Sequence, residues 1–214
     1  MLTLTENNSL ANHFLSELRD EQIQKDSMRF RRNLERLGEV FAYEISKTLN
    51  FQKQEVSTQL GIKKTYHLSQ DVVLLTILRA GLPLHQGLLN YFDKAENAFI
   101  GAYRGKHDKK EAFEIEMDYI TSPDINGKVL IISDPMLATG KSIEKAYHAM
   151  LRYGVPAKTH IVSAIASQYG VSFIQTHLPQ CHLWVGDIDD EMNSKSYIVP
   201  GLGDAGDLAF GEKI

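Results

Sequence analysis

With 214 residues, 43% of them hydrophobic and 23% charged, the chain has globular proportions and enough length for a well-buried core. A formal net charge of -4 gives no overall basic field for gripping a polyanion, which sets nucleic acid aside while allowing a local basic site around a small phosphorylated ligand. The longest apolar runs, Val72–Leu78 and Val129–Ile132, fall far short of the roughly 20 residues that span a bilayer, so no membrane partner is expected.

The start, MLTLTENNSLANHF, lacks the basic head and apolar middle of a secretory signal, and the single Cys181 admits no intrachain disulfide; both fit a reducing cytoplasm. Cys181 and His182 have no second pair at zinc spacing, so no structural metal is expected. No repeat or linker divides the chain, which reads as a single domain, 1–214.

In chain order, Phe30, Leu34, Leu37, Val40, Phe41 and Ile45 recur at three- and four-residue intervals and predict a helix from Ser27 to about Leu49, with Ser27 as its N-cap. Alternating elements follow. A strand at Val72–Leu78 leads to Arg79 and a helix near Leu82–Tyr91. A strand at Ala98–Tyr103 leads to Arg104 and the polar run RGKHDKKEA. Strands at Val129–Ser133, Thr159–Ile165 and His182–Val185 alternate with helices beginning near Gly140 and around Val171–His177. This rhythm predicts a mainly parallel α/β sheet flanked by helices, with ligands outside the carboxyl ends of its strands.

Four loops carry candidate site residues, three of them at such ends. Arg79 and Arg104 each follow an apolar strand, where a guanidinium fork can hold a phosphate; solvent-exposed arginines are the other reading. The polar run after Arg104 suits a lid over a ligand, or a solvated hairpin tip. In VLIISDPMLATGKS a strand runs into Asp134, then a Thr/Gly/Ser loop, then a helix. Helix-start N–H groups with Thr139 and Ser142 suit a phosphate, Gly140 permits the turn, and Asp134 suits sugar hydroxyls; an ordinary capped strand-to-helix turn uses the same residues. Gly140-Lys141-Ser142 also matches the tail of a nucleotide-binding P-loop, but that motif's first glycine would fall at Pro135, which lacks an N–H. The last loop, YIVPGLGDAGDLAFG, has the backbone freedom to bring main-chain groups around Gly203 and Ala205 against a flat base, or to form a turn-rich tail.

DPMLATGKS resembles DPMLATGGS, the loop binding 5-phosphoribosyl-1-diphosphate (PRPP) in uracil phosphoribosyltransferases. ILRAG and the Tyr103-Arg104 pair are similar to that family's diphosphate-contacting positions, and YIVPGLGDAGD to its uracil signature. The resemblance implies a type I phosphoribosyltransferase fold with N-terminal helices and a flexible loop or hairpin. Its activity would make uridine 5′-monophosphate (UMP) and diphosphate from uracil and PRPP. It implies PRPP contacts along Asp134, Pro135, Met136, Leu137, Ala138, Thr139, Gly140, Lys141 and Ser142, and catalytic duties for Arg79, Arg104 and Asp204. Uracil would meet Ile198, Gly203, Asp204 and Ala205. Mg2+ would arrive with PRPP and have no direct protein site, the assembly would be a homodimer or larger, and GTP, which activates some relatives, is a candidate allosteric activator that the sequence neither supports nor excludes. Three departures accompany the match: Lys141 replaces a glycine, IASQYGV at Ile165–Val171 stands where AAPEG is usual, and DDEMNSKSYI replaces DxxLNxxGYI. They leave room for a divergent or weakened enzyme, or for a non-enzymatic paralogue that senses PRPP or a nucleotide.

Overall fold

The structure, a computed structural model, describes residues 1–104 and 115–213. The run after Arg104 lies largely outside the described residues, as does the Arg104 side chain. Eight strands form one sheet: β1 (Leu2–Thr3), β4 (Val72–Leu78), β5 (Glu96–Arg104), β6 (Ile115–Thr121), β7 (Val129–Ser133), β8 (Met136–Leu137), β9 (Lys158–Ser167) and β10 (Cys181–Asp189). The main path runs β1-β10-β9-β7-β4-β5-β6, with β8 added beside β9. All pairings are parallel except β5 with β6. The mainly parallel α/β architecture predicted above is therefore present.

β4 shows why the apolar runs were readable as strands. Its first six residues are buried, with Val72 and Leu74 facing one helical layer and Val73, Leu75 and Ile77 facing the other. A strand covered on both faces needs no polar alternation. The first layer contains α1 (Leu10–Arg19), α2 (Ser27–Ser46), α3 (Leu82–Tyr91) and α6 (Ala205–Phe210); the second contains α4 (Lys141–Met150) and α5 (Gln168–His177).

The α2 face carries Phe30, Leu34, Leu37, Phe41 and Ile45 at 1% exposure or less, each stabilising the fold by about 1.5–3 kcal/mol. Val40 is only half-buried at the margin. The N-cap is Asp26, not Ser27: its Oδ1 accepts from the Met28 and Arg29 N–H groups at 3.0 and 3.1 Å, and its charge complements the helix dipole. The helix ends at Ser46, short of Leu49.

Elements beyond those read from the sequence include α1 and a hairpin. α1 begins at a Ser9 capping box and buries Ala11, Leu15 and Leu18, a spacing visible in the sequence. β2 (Phe51–Thr58) and β3 (Gly61–Leu68) form a separate antiparallel hairpin with almost every residue exposed.

In the sheet interior, the Trp184 indole donates to His160 Nδ1 at 2.9 Å. Burial, with Lys158 and His182 nearby, pushes the His160 imidazole down to about 3. An unfolded chain protonates this group near its ordinary 6.5, so the native state loses stability as pH falls from 6.5 towards 3. Asp134 acts oppositely, because burial raises its carboxyl to about 6 and the native chain then takes up a proton sooner than the unfolded one. We expect the melting temperature to fall between pH 7 and 5, and to fall less in His160→Asn, whose Oδ1 stands where Nδ1 accepts from Trp184. Equal falls in the two proteins reject this assignment.

Candidate active site

β5 follows β4 on one side, whereas β7 lies on the other, so the direction of winding reverses between β4 and β7. Ligand pockets form outside the carboxyl ends at such a reversal. One opens here, with a volume of about 960 Å³. Arg79 enters it from the end of β4, Asp134 from the end of β7, and the Gly203–Asp207 segment closes it from the C-terminal side.

Of the phosphate-loop residues, Asp134 and Met136 through Ser142 line the pocket. Pro135 does not: its carbonyl accepts from the Ile165 N–H at 3.0 Å, which ties it into the sheet. With Met136 and Leu137 paired to Ile165 and Ala166 as β8, the backbone at this point extends along β9 and does not curl into a P-loop cradle. Gly140 has φ +77° and caps α4. Lys141 is the first residue of that helix, so the left-handed position is already met by Gly140 and a lysine side chain at the next residue costs no backbone strain. Asp134 is half-buried, its Oδ1 accepts from the Met136 N–H at 3.3 Å, and burial outweighs that bond to hold the carboxyl at about 6.

The departing segment IASQYGV braces this loop from behind. Ser167 Oγ donates to the Ala138 carbonyl at 2.6 Å and accepts from the Gly170 N–H at 2.8 Å, capping α5. A β-carbon on Gly170 would stand 2.5 Å from the Ala138 oxygen and 2.7 Å from that of Leu137, so only glycine lets α5 approach so closely.

Across the pocket, Ile198, Gly203, Asp204 and Ala205 lie together. Asp204 Oδ1 accepts from the Gly206 and Asp207 N–H groups at 2.9 and 3.0 Å, which starts α6. Burial pushes this carboxyl upward, yet the Asp207 N–H, the Lys213 ammonium and the Gly206 N–H together hold it below its ordinary value. Arg79 Nη2 donates to Asp207 Oδ1 at 2.7 Å and to the Gly211 carbonyl at 2.6 Å. Lys213 Nζ lies 3.4 Å from Asp204 Oδ2 and 3.9 Å from Asp207 Oδ1. Arg79, Asp207, Lys213 and Asp204 thus form a chain of alternating charge along one wall. Among the described residues no group of three His, Cys, Asp or Glu side chains could hold a metal ion.

Sequence reasoning missed Tyr119, Ser196 and Lys213, which also line the pocket. Ser196 has φ +61°, a conformation glycine adopts freely, and it stands where the resembled pattern has glycine. Asn193 holds that turn: its carbonyl accepts from Ser196, and its Oδ1 from Lys195 and Tyr197. Lys213 carried no signal beyond its charge.

A strand, an acidic residue, a phosphate-type loop and a helix at the winding reversal of a parallel sheet, opposed by an arginine-bearing loop, define the type I phosphoribosyltransferase class. The family model described as uracil phosphoribosyltransferase matches residues 5–212. A protein of that name from Porphyromonas gingivalis is 56% identical over 207 residues, covering 96% of this chain and 95% of its own. One from Pyrococcus furiosus is 40% identical over 203 residues, covering 94% and 85%. A solved structure of an Aquifex aeolicus protein superposes with TM-score 0.88 at 32% identity, covering 100% of this chain and 99% of its own. The chain belongs to the uracil phosphoribosyltransferase family.

Ser167→Ala removes the bond to the Ala138 carbonyl and the N-cap of α5, and a loss of about 1–2 kcal/mol is expected. Urea unfolding measures it; unchanged stability would show that the brace contributes nothing.

Proposed function

We propose that this chain is a pentosyltransferase that joins uracil to PRPP, forming UMP and diphosphate. The observation that carries the reading is the convergence of the phosphate loop, Arg79 and the Gly203–Ala205 segment on one pocket, in a chain of this family.

In this reading, uracil N1 forms a bond to ribose C1′ as the bond from C1′ to the diphosphate oxygen breaks, through a transition state of oxocarbenium character, and the N1 proton is lost to solvent. Arg79 neutralises the leaving diphosphate, with Arg104 at the end of β5 as its partner. Half-exposed ion pairs are weak, so Arg79 exchanges Asp207 for the diphosphate at little cost. Helix-start N–H groups of α4, with Thr139, Ser142 and the Lys141 ammonium, take the 5′-phosphate. Main-chain groups of Ile198, Gly203 and Ala205 read the edge of uracil, while Asp134 accepts the ribose hydroxyls. Holding base and sugar in attack geometry contributes several kcal/mol.

Mg2+ is a substrate component here, entering on the diphosphate and adding positive charge to the leaving group. The oxygens fit a hydrated ion of this kind: Asp204 Oδ2 lies outside the helix cap, and its neighbour Lys213 is an exposed, exchangeable cation. We further propose a single domain and a homo-oligomer, with GTP activation as in some relatives; these rest on the family resemblance. No helix among the described residues is long and apolar enough to cross a membrane, and the lone cysteine supports a cytoplasmic setting.

The reading is tested by incubating the purified protein with PRPP, Mg2+ and, in parallel, uracil, cytosine, hypoxanthine or orotate. UMP and diphosphate with uracil alone are expected. PRPP binding without product would support a sensor instead. Asp134 supplies a pH test. Ribose hydroxyls favour its carboxylate, so PRPP binding should tighten as pH rises through about 6. Asp134→Asn should weaken binding about tenfold at pH 7.5 and show a shallower pH dependence. The titration of PRPP itself is common to both proteins, so identical pH profiles would remove Asp134 from the contact.

A further inference from the structure

We infer that Arg19, which lies outside the ligand pocket at the end of α1, is the positioning residue of the base-reading loop. The inference rests on the uracil reading above and adds a residue that no motif in the chain marks.

The loop that carries Gly203, Asp204 and Ala205 is anchored at Gly201. The Gly201 N–H donates to Asp189 Oδ2 at 3.0 Å, and the Gly201 carbonyl accepts from Arg19 Nη1 at 3.1 Å. Both backbone polar groups of one residue are therefore fixed by a single ion pair. That pair is a fork: Arg19 Nη1 donates to Asp189 Oδ2 at 2.8 Å and Nη2 to Asp189 Oδ1 at 2.9 Å, while Nη2 also reaches Asp187 Oδ2 at 2.8 Å. Paired, charge-assisted bonds of this geometry fix orientation as well as distance.

The anchor has little slack. Gly201 has φ +58°, and a β-carbon there would stand 2.1 Å from the Ile198 carbonyl oxygen. Asp189 is buried, with its side chain 8% exposed, so it needs a cation beside it. The neighbouring Leu202 carbonyl is held from the same direction: the Gln24 amide, turned so that both its ends are satisfied, donates to it at 2.8 Å. The N-terminal segment therefore grips two consecutive residues just before the main-chain groups that face the pocket. Burial opposes charge on Arg19, but its bonds to Asp189 and Asp187 outweigh that effect and keep it more firmly protonated than an ordinary arginine.

The Asp187 contact separates positioning from simple stabilisation. It joins Arg19 and Thr5 but makes no contact with the loop among the described hydrogen bonds. The experiment measures steady-state kinetics for both substrates in Arg19→Met and Asp187→Asn, each well below its melting temperature. In Arg19→Met the KM for uracil should rise about tenfold or more, since small displacements of substrate-holding groups carry large kinetic effects; the KM for PRPP should stay within about twofold. Asp187→Asn should lower the melting temperature and leave the KM for uracil unchanged.

An unchanged uracil KM in folded Arg19→Met would overturn the inference, as would a parallel rise in both KM values or an equal rise in Asp187→Asn. Should Arg19→Met fail to fold, Arg19→Lys keeps the charge, loses the fork and carries the same prediction. Wild-type protein that makes no UMP strikes the uracil reading itself. Active wild type with an unaltered uracil KM in the variant strikes this inference alone.

Discussion

The site depends on the hydrogen-bond register between β9 and β10. That parallel pairing sets Asp189 opposite Ser167 at the carboxyl ends of the two strands. Ser167 reaches the Ala138 carbonyl in the phosphate loop, and Asp189 reaches the Gly201 N–H in the base loop. One ladder therefore supports both walls of the pocket, so the separation of the Ala138 loop from the Gly201 loop is set by strand geometry. A one-residue slip would move both side chains to the opposite face. The buried faces of Ile161, Val162, Ala164 and Ile165 on β9 and Leu183, Trp184 and Val185 on β10 exclude that slip.

Electrostatics inside the pocket follow a different rule. Arg79, Asp207, Lys213 and Asp204 neutralise one another before any ligand arrives. Their pairs are partly exposed, and therefore exchangeable, whereas Arg19 with Asp189 is largely enclosed. The same chemistry thus has two uses separated by burial: open pairs can trade partners with an anionic substrate, and the enclosed pair holds shape.

Legibility in the sequence divided along this physical line. β4 and β7 were readable because both their faces are buried, which leaves uninterrupted apolar runs. The phosphate loop and the terminal signature were readable because backbone demands of the site are written locally, in Gly140 and in the glycines from Gly201 onward. The β2–β3 hairpin left no comparable rhythm, since hydrophobic alternation reports burial and this ribbon is exposed. Asp26 was passed over for Ser27 because both are cap formers and only the turn geometry separates them. Ser167 and Gly170 were hidden inside a segment that differs from the resembled pattern, although they perform a loop-supporting task. Arg19 was unreadable for a deeper reason: its partner Asp189 lies 170 residues away along the chain, and no local pattern encodes such a pairing.

The first helix has a wider meaning for how this molecule tolerates change. It is fastened to β10 at both ends, through Leu2 and Thr3 paired with Trp184 and Val185 before it, and through Arg19 at its close. Leu2 and Thr3 are spliced into the edge of the sheet, and the first helix leads from that edge to the Gly201 anchor. An alteration anywhere in this stretch is consequently an alteration made beside the pocket.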